Sequence, residues 1–170
     1  MRRTEKRWLL LIPSLLIAAA IFLSAGAANA GEYAALKGVN GLDTVFDVSQ
    51  GNPKIANIVF WAVRDVYQEE SVRALPKPPR TVVVFHGPAV KMLSTDRSGF
   101  KPEEVPEVEK FAETLRQMKA DGVTLEVCDY ALKVMGVAPA SVLPEITHVV
   151  NGFVSVSGYQ AQGYSVVVVP

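Results

Sequence analysis

One thiol and two imidazoles are the side chains of this sequence best suited to nucleophilic or proton-transfer chemistry. Cys128 is the only cysteine in 170 residues, and His86 and His148 stand 62 positions apart. A single cysteine cannot form an internal disulfide, and with two histidines it leaves too few ligands for a structural zinc site. The glycine patterns that cradle phosphates or dinucleotides and the Gly-x-Ser-x-Gly elbow of hydrolases are absent. Glu103-Glu104, Glu107 and Glu109 read as the solvated start of a helix, where the dipole favours carboxylates. No resident metal or cofactor is expected.

Cys128 falls where an apolar strand ends and a helix begins at Asp129 or Tyr130. Backbone N–H groups at a helix start stabilise a thiolate, and the neighbouring Asp129 carboxylate opposes it. Two readings stay open: a reactive thiol at a sheet edge, or a small inert core residue, since cysteine is among the most buried types. His86 also ends an apolar strand and could approach Cys128 if the two strands are neighbours; otherwise it is a turn residue bonded to local backbone. Gly87 and Asp129 are the candidate binding residues beside them. His148, inside a strand, reads as a packed or edge residue.

The elements that would position these groups follow from periodicity. Residues 31–42 read as an extended arm, and Thr44 to Val48 as a strand. Asn52-Pro53 starts a helix reaching Glu70, with Ile55, Ile58, Val59, Ala62, Val63 and Val66 as its apolar stripe. Thr81 to Phe85 is a continuous apolar strand, the mark of burial on both faces in a parallel sheet. A short helix and polar loop fill 89–101. A second amphipathic helix, Glu103 to Ala120, carries Val108, Phe111, Ala112, Leu115 and Met118 on one side. Val123 to Val127 is a strand and Ala131 to Met135 part of a short helix. Ile146 to Val150 is a strand, Gly152 to Gln162 a helix capped by Gly163, and Tyr164 to Val169 the last strand. Strands alternating with helices predict a three-layer α/β domain with a mostly parallel five-stranded sheet, its ligands beyond the carboxyl ends of the strands.

The N-terminus reads differently. Arg2, Arg3, Lys6 and Arg7 precede a charge-free run from Trp8 to Gly31 that ends in Ala28-Asn29-Ala30. This is the pattern of a signal peptide over residues 1–30. The alternative is an uncleaved membrane anchor, because about 20 apolar residues span a bilayer. Pro13 and the alanine-rich second half argue for cleavage, and the absence of a large apolar residue after Arg2-Arg3 argues for the general secretory route. A mature chain of 140 residues would carry 13 basic and 16 acidic groups. That length supports one core, and the mild negative charge leaves no footprint for nucleic acid.

Four segments, taken in order, resemble the DsrE/DsrF-like family of small α/β sulfur-relay proteins over roughly residues 43 to 170. They are Val82 to Val90, Phe111 to Met118 leading into Gly122-Val123, Leu125 to Cys128 with Ala131-Leu132, and Gln160 to Tyr164 running into the terminal strand. The resemblance implies a three-layer fold assembled as trimers or hexamers. It also implies, for some members, a cysteine that carries sulfur as a persulfide and passes it to a partner protein. Cys128 is the position similar to that cysteine. The expected function is therefore sulfur binding or transfer, as a sulfurtransferase or carrier with a donor or acceptor protein. The alternative is a non-catalytic oligomeric module that binds a small molecule or protein at the same sheet edge.

The export pattern is directly testable. The mature protein is expected to begin at Gly31 and to partition with the soluble periplasmic fraction. N-terminal sequencing of protein from its native host checks this, and a chain starting at Met1 in the membrane fraction would identify an anchor.

Overall fold

The computed structural model describes residues 33–170. The expected signal segment, 1–30, lies outside the described residues. The predicted arm is not wholly extended: Ala34–Leu36 forms a single 3-10 turn. Beyond it run β1 (Asp43–Val48), α1 (Pro53–Gln68), α2 (Glu70–Arg73), β2 (Arg80–Phe85) and a 3-10 segment (Gly87–Leu93). Then come α3 (Val105–Ala120), β3 (Thr124–Cys128), α4 (Asp129–Met135), β4 (Thr147–Val149), α5 (Gly152–Ala161) and β5 (Ser165–Val169).

All five strands are parallel, in the order β4-β3-β2-β1-β5. Parallel crossovers are almost always right-handed, so the direction in which the chain steps across the sheet decides which face each helix covers. Three successive steps from β1 to β4 put α1, α3 and α4 on one face. The single return step, from β4 to β5, puts α5 on the other. The first face holds the larger core, where Phe60 stacks 5.8 Å from Phe85 and meets Phe111 edge-on at 4.7 Å. The second face is thinner, with Val45, Val82, Val84, Val156 and Tyr164.

The outward stripe of α1 departs from the sequence reading. Asn52 caps the helix through Ile55 N–H, as expected, and Val63 faces the core with Val59 and Val66 packed against it, as the stripe implied, but Ala56 and Phe60 join them there. Ile55, Ile58 and Ala62 are exposed, beside an exposed Trp61. The inward face is rotated from the expected stripe, and the larger aromatic payload of Phe60, packed between two other phenylalanines, sets that rotation. The terminal strand also departs from burial on both faces. β5 is an edge strand, and Val167 and Val168 are exposed.

α5 is apolar nearly all round, so a hydrophobic stripe does not orient it. A buried carboxylate does. Glu126 on β3, 8% exposed, accepts hydrogen bonds from Ser155 and, at 2.8 Å, from Tyr159 Oη. Burial, reinforced by that bond to Glu126, pushes the Tyr159 phenol up to about 12. The folded state thus holds this proton more tightly than the unfolded chain, whose phenol ionises near 10. The stabilisation is complete below about pH 10 and is lost as pH rises toward about 12. Urea unfolding across that window should show stability falling, and Tyr159→Phe should flatten part of the fall.

Candidate functional site

β2 and β3 are neighbours, with Phe85 opposite Val127. The next residues along, His86 and Cys128, therefore sit side by side at the carboxyl edge of the sheet. Alternation along the strands points both toward the α5 face. They border one cavity of about 280 Å³, together with Gly87, Tyr130, Ala131, Val134, Met135, Asn151 and Phe153. Cys128 forms its floor: the residue is only 4% exposed, and it is the N-cap of α4. The N-terminus of α5 forms the wall above it.

That wall depends on Gly152. A Cβ placed there would lie 3.0 Å from Cys128 Cβ and 3.2 Å from Val84 Cγ1. The absent side chain lets α5 close down on the thiol. Gly87 is fixed for another reason, its φ of 52°, a left-handed conformation that disfavours any side chain. It lets the chain leave β2 straight into the 3-10 segment with His86 aimed along the edge.

His86 does not engage local backbone through its side chain. Its Nε2 lies 2.6 Å from Oδ1 of Asp47 on β1. The geometry of this close approach does not make a hydrogen bond, and both buried atoms are left without a hydrogen-bond partner. The ring also meets Phe153 at 5.1 Å between centroids. No hydrogen bond joins His86 to Cys128 among the described residues; the two share the lining of the cavity. Asp47, His86 and Cys128 thus fall on, or at the end of, three adjacent strands, with the imidazole between the carboxylate and the thiol in strand order.

Asp129 and His148 stand apart from this. His148 occupies edge strand β4, and its Nδ1 lies 2.6 Å from Asp129 Oδ1. Asp129 is not among the residues lining the cavity, and the adjacent imidazole engages the carboxylate that would oppose a thiolate at Cys128. A cavity of similar size, about 330 Å³, opens at the amino ends of the strands near Tyr67 and Asp121. Its Asp121 carboxylate is already engaged: Tyr67 Oη donates to it at 2.7 Å, and Gln68 and Gln117 add two more bonds. It contains no thiol or imidazole. Among the described residues no cluster of three or more His, Cys, Asp or Glu could hold a metal, and no helix is long and apolar enough to cross a membrane.

Residues 44–169 match the DsrE/DsrF-like family. The chain belongs to that family, which is associated with sulfur relay. Two solved structures share the fold of this DsrE-like chain. MTH1491 of Methanobacterium thermoautotrophicum is 16% identical at a TM-score of 0.59, covering 75% of this chain and 98% of its own. BT1422 of Bacteroides thetaiotaomicron is 14% identical at 0.54, covering 75% and 94%. Both are described as proteins of unknown function, so the likeness is one of fold. No curated protein matches the DsrE-like chain in sequence.

Sequence reasoning missed Asp47, Phe153 and Gly152. A charged residue inside Thr44-Val45-Phe46-Asp47-Val48 is the one local signal that was there to read. Gly152 makes the site's packing testable. Gly152→Ala should destabilise the fold by about 1–3 kcal/mol through overpacking against Cys128. Gly158, where a Cβ would meet nothing within 4 Å, should instead gain about 0.5–1 kcal/mol on replacement by alanine in mid-helix. Chemical denaturation of the two variants checks both signs.

Proposed function

We propose that this DsrE-like protein binds and transfers sulfane sulfur as a persulfide on Cys128. The observation that carries the reading is the juxtaposition of Cys128 and His86 on one cavity, with Asp47 behind the imidazole. In this reading His86 takes the thiol proton, and the Asp47 carboxylate stabilises the imidazolium that results. The Cys128 thiolate then attacks the outer sulfur of a donor, and an acceptor thiolate later removes that sulfur. Family membership supports the same chemistry.

We further infer that the protein acts outside the cytoplasm after loss of residues 1–30, and that it works as a closed oligomer, a trimer or hexamer. The basic, apolar and Ala28-Asn29-Ala30 pattern supports the first. The second is supported by exposed Val167 and Val168 on an edge strand, which left open would be an aggregation hazard.

One observation favours a second reading. Cys128 is only 4% exposed, which suits a binding module whose cysteine merely lines the ligand cavity. Native mass spectrometry after incubation with polysulfide separates the two. Persulfide formation adds about 32 Da, one sulfur atom, per chain, and the same spectrum counts the chains in the assembly. The adduct is expected in wild type and absent in Cys128→Ser. His86→Ala and Asp47→Asn should load about 100-fold more slowly, the lower end of the range of about 10²–10⁴ that a positioned acid–base group contributes. A folded wild-type protein that gains no sulfur and resists alkylation would leave the binding-module reading in place.

A further inference from the structure

The walls of the Cys128 cavity say which donors it suits. Tyr130, Ala131, Val134 and Met135 project from α4, and Phe153 from α5. No lysine or arginine lines it. The one basic group, His86, already faces Asp47. Anionic sulfur compounds such as thiosulfate would meet an apolar surface with no fixed cation to replace their water, a costly exchange. The volume, about 280 Å³, lies just under the usual small-molecule range of about 300–1,000 Å³. The cavity therefore fits a compact apolar group held next to the thiol.

We propose that the donor is a low-molecular-weight organic persulfide, R–S–SH, whose R is a compact apolar group seated against Val134, Met135, Tyr130 and Phe153. This rests on the persulfide reading of Cys128. The Cys128 thiolate attacks the outer sulfur. The bond between the donor's two sulfurs breaks as the new S–S bond forms, and R–S⁻ leaves. The outer sulfur keeps its hydrogen, so the products are Cys128–S–SH and R–S⁻. His86 returns to that thiolate the proton it took from the Cys128 thiol, giving R–SH. Cys128 is oxidised to the persulfide level while the donor is reduced to a thiol, so no other oxidant is required. The apolar walls hold the leaving group, which makes R the part of the donor that the protein recognises.

The test compares benzyl persulfide, glutathione persulfide and thiosulfate as donors to the full chain. Sulfur on Cys128 is read by intact mass, and each rate is divided by the rate of that donor with a free cysteine peptide. Benzyl persulfide is expected to exceed glutathione persulfide about tenfold or more, because each buried methylene favours transfer from water by a factor of several, and thiosulfate should be slowest. Val134→Lys, at an exposed position on the cavity rim, should erase most of that preference. Val154→Lys, exposed but off the cavity, should leave it intact. Equal normalised rates, or a lead for glutathione persulfide or thiosulfate, would overturn the donor assignment while sulfur loading stands. Loading from none of the three, with Cys128 shown to resist alkylation, would overturn the persulfide reading itself and this inference with it.

Discussion

The hand of the parallel crossover governs this molecule. Once three connections step one way across the sheet, their helices must crowd onto one face, and only the return connection is left for the other. That leaves α5, ten residues long, to cover a five-stranded surface. It reaches across β3, β2, β1 and β5, and it cannot seal the carboxyl edge where it begins. The cavity at Cys128 is the gap between the start of that helix and the strand ends beneath it. In open α/β sheets ligands usually sit where the strand order reverses, which here is between β1 and β5. That point is instead closed, by Ser49 N–H donating to Val169 O and by Gln50 bonding the Pro170 carbonyl at 2.7 Å. The opening is displaced to β2 and β3.

A polar row runs through the thin face. Asp47, Glu126, His86 and Cys128 all point to the α5 side, and Ser155 and Tyr159 answer from the helix. Glu126 is satisfied by two hydroxyl donors, which removes most of the penalty of burying it and fixes the helix in one rotation. Asp47 and His86 are only loosely satisfied, meeting at close range without a hydrogen bond. The contrast is physical: one carboxylate anchors the helix, and the other is left with unspent interaction facing an imidazole. A polar group short of partners in a largely apolar setting is where chemistry costs the scaffold least.

Much of the architecture was legible in the residues. Continuous apolar runs marked β2 and β3, Asn52-Pro53 marked the start of α1, and Cys128 was readable as a strand-to-helix junction. What escaped depended on lateral order. Nothing local in Val45-Phe46-Asp47-Val48 says that β1 lies beside β2, so Asp47 could not be set behind His86 in advance. The apolar face of α1 was assigned in part: Val59, Val63 and Val66 turn to the core as read, but Ile55 and Ile58 match a helical period as well as Ala56 and Phe60 do. Only three-dimensional packing of Phe60 against Phe85 and Phe111 breaks that tie. Glu126 looked like an ordinary strand residue because its hydroxyl partners lie about thirty positions downstream, on a helix whose facing could not be read from its even hydrophobicity.

The pairing of β1 with β5 has a temporal side. Thr44 lies opposite Ser165, and Val48 opposite Val169. A strand near the start of the domain waits for its second neighbour until residues 165–169 have been synthesised. Closing so long a segment before any contact rewards it slows folding, and β1 meanwhile presents an unpaired apolar flank. α5 and β5 are the last of these elements to be made, so they can close the sheet only after β1 to β4 have been synthesised. The cavity beneath Gly152 does not exist before that event, so truncated or stalled chains would carry the cysteine without the pocket around it.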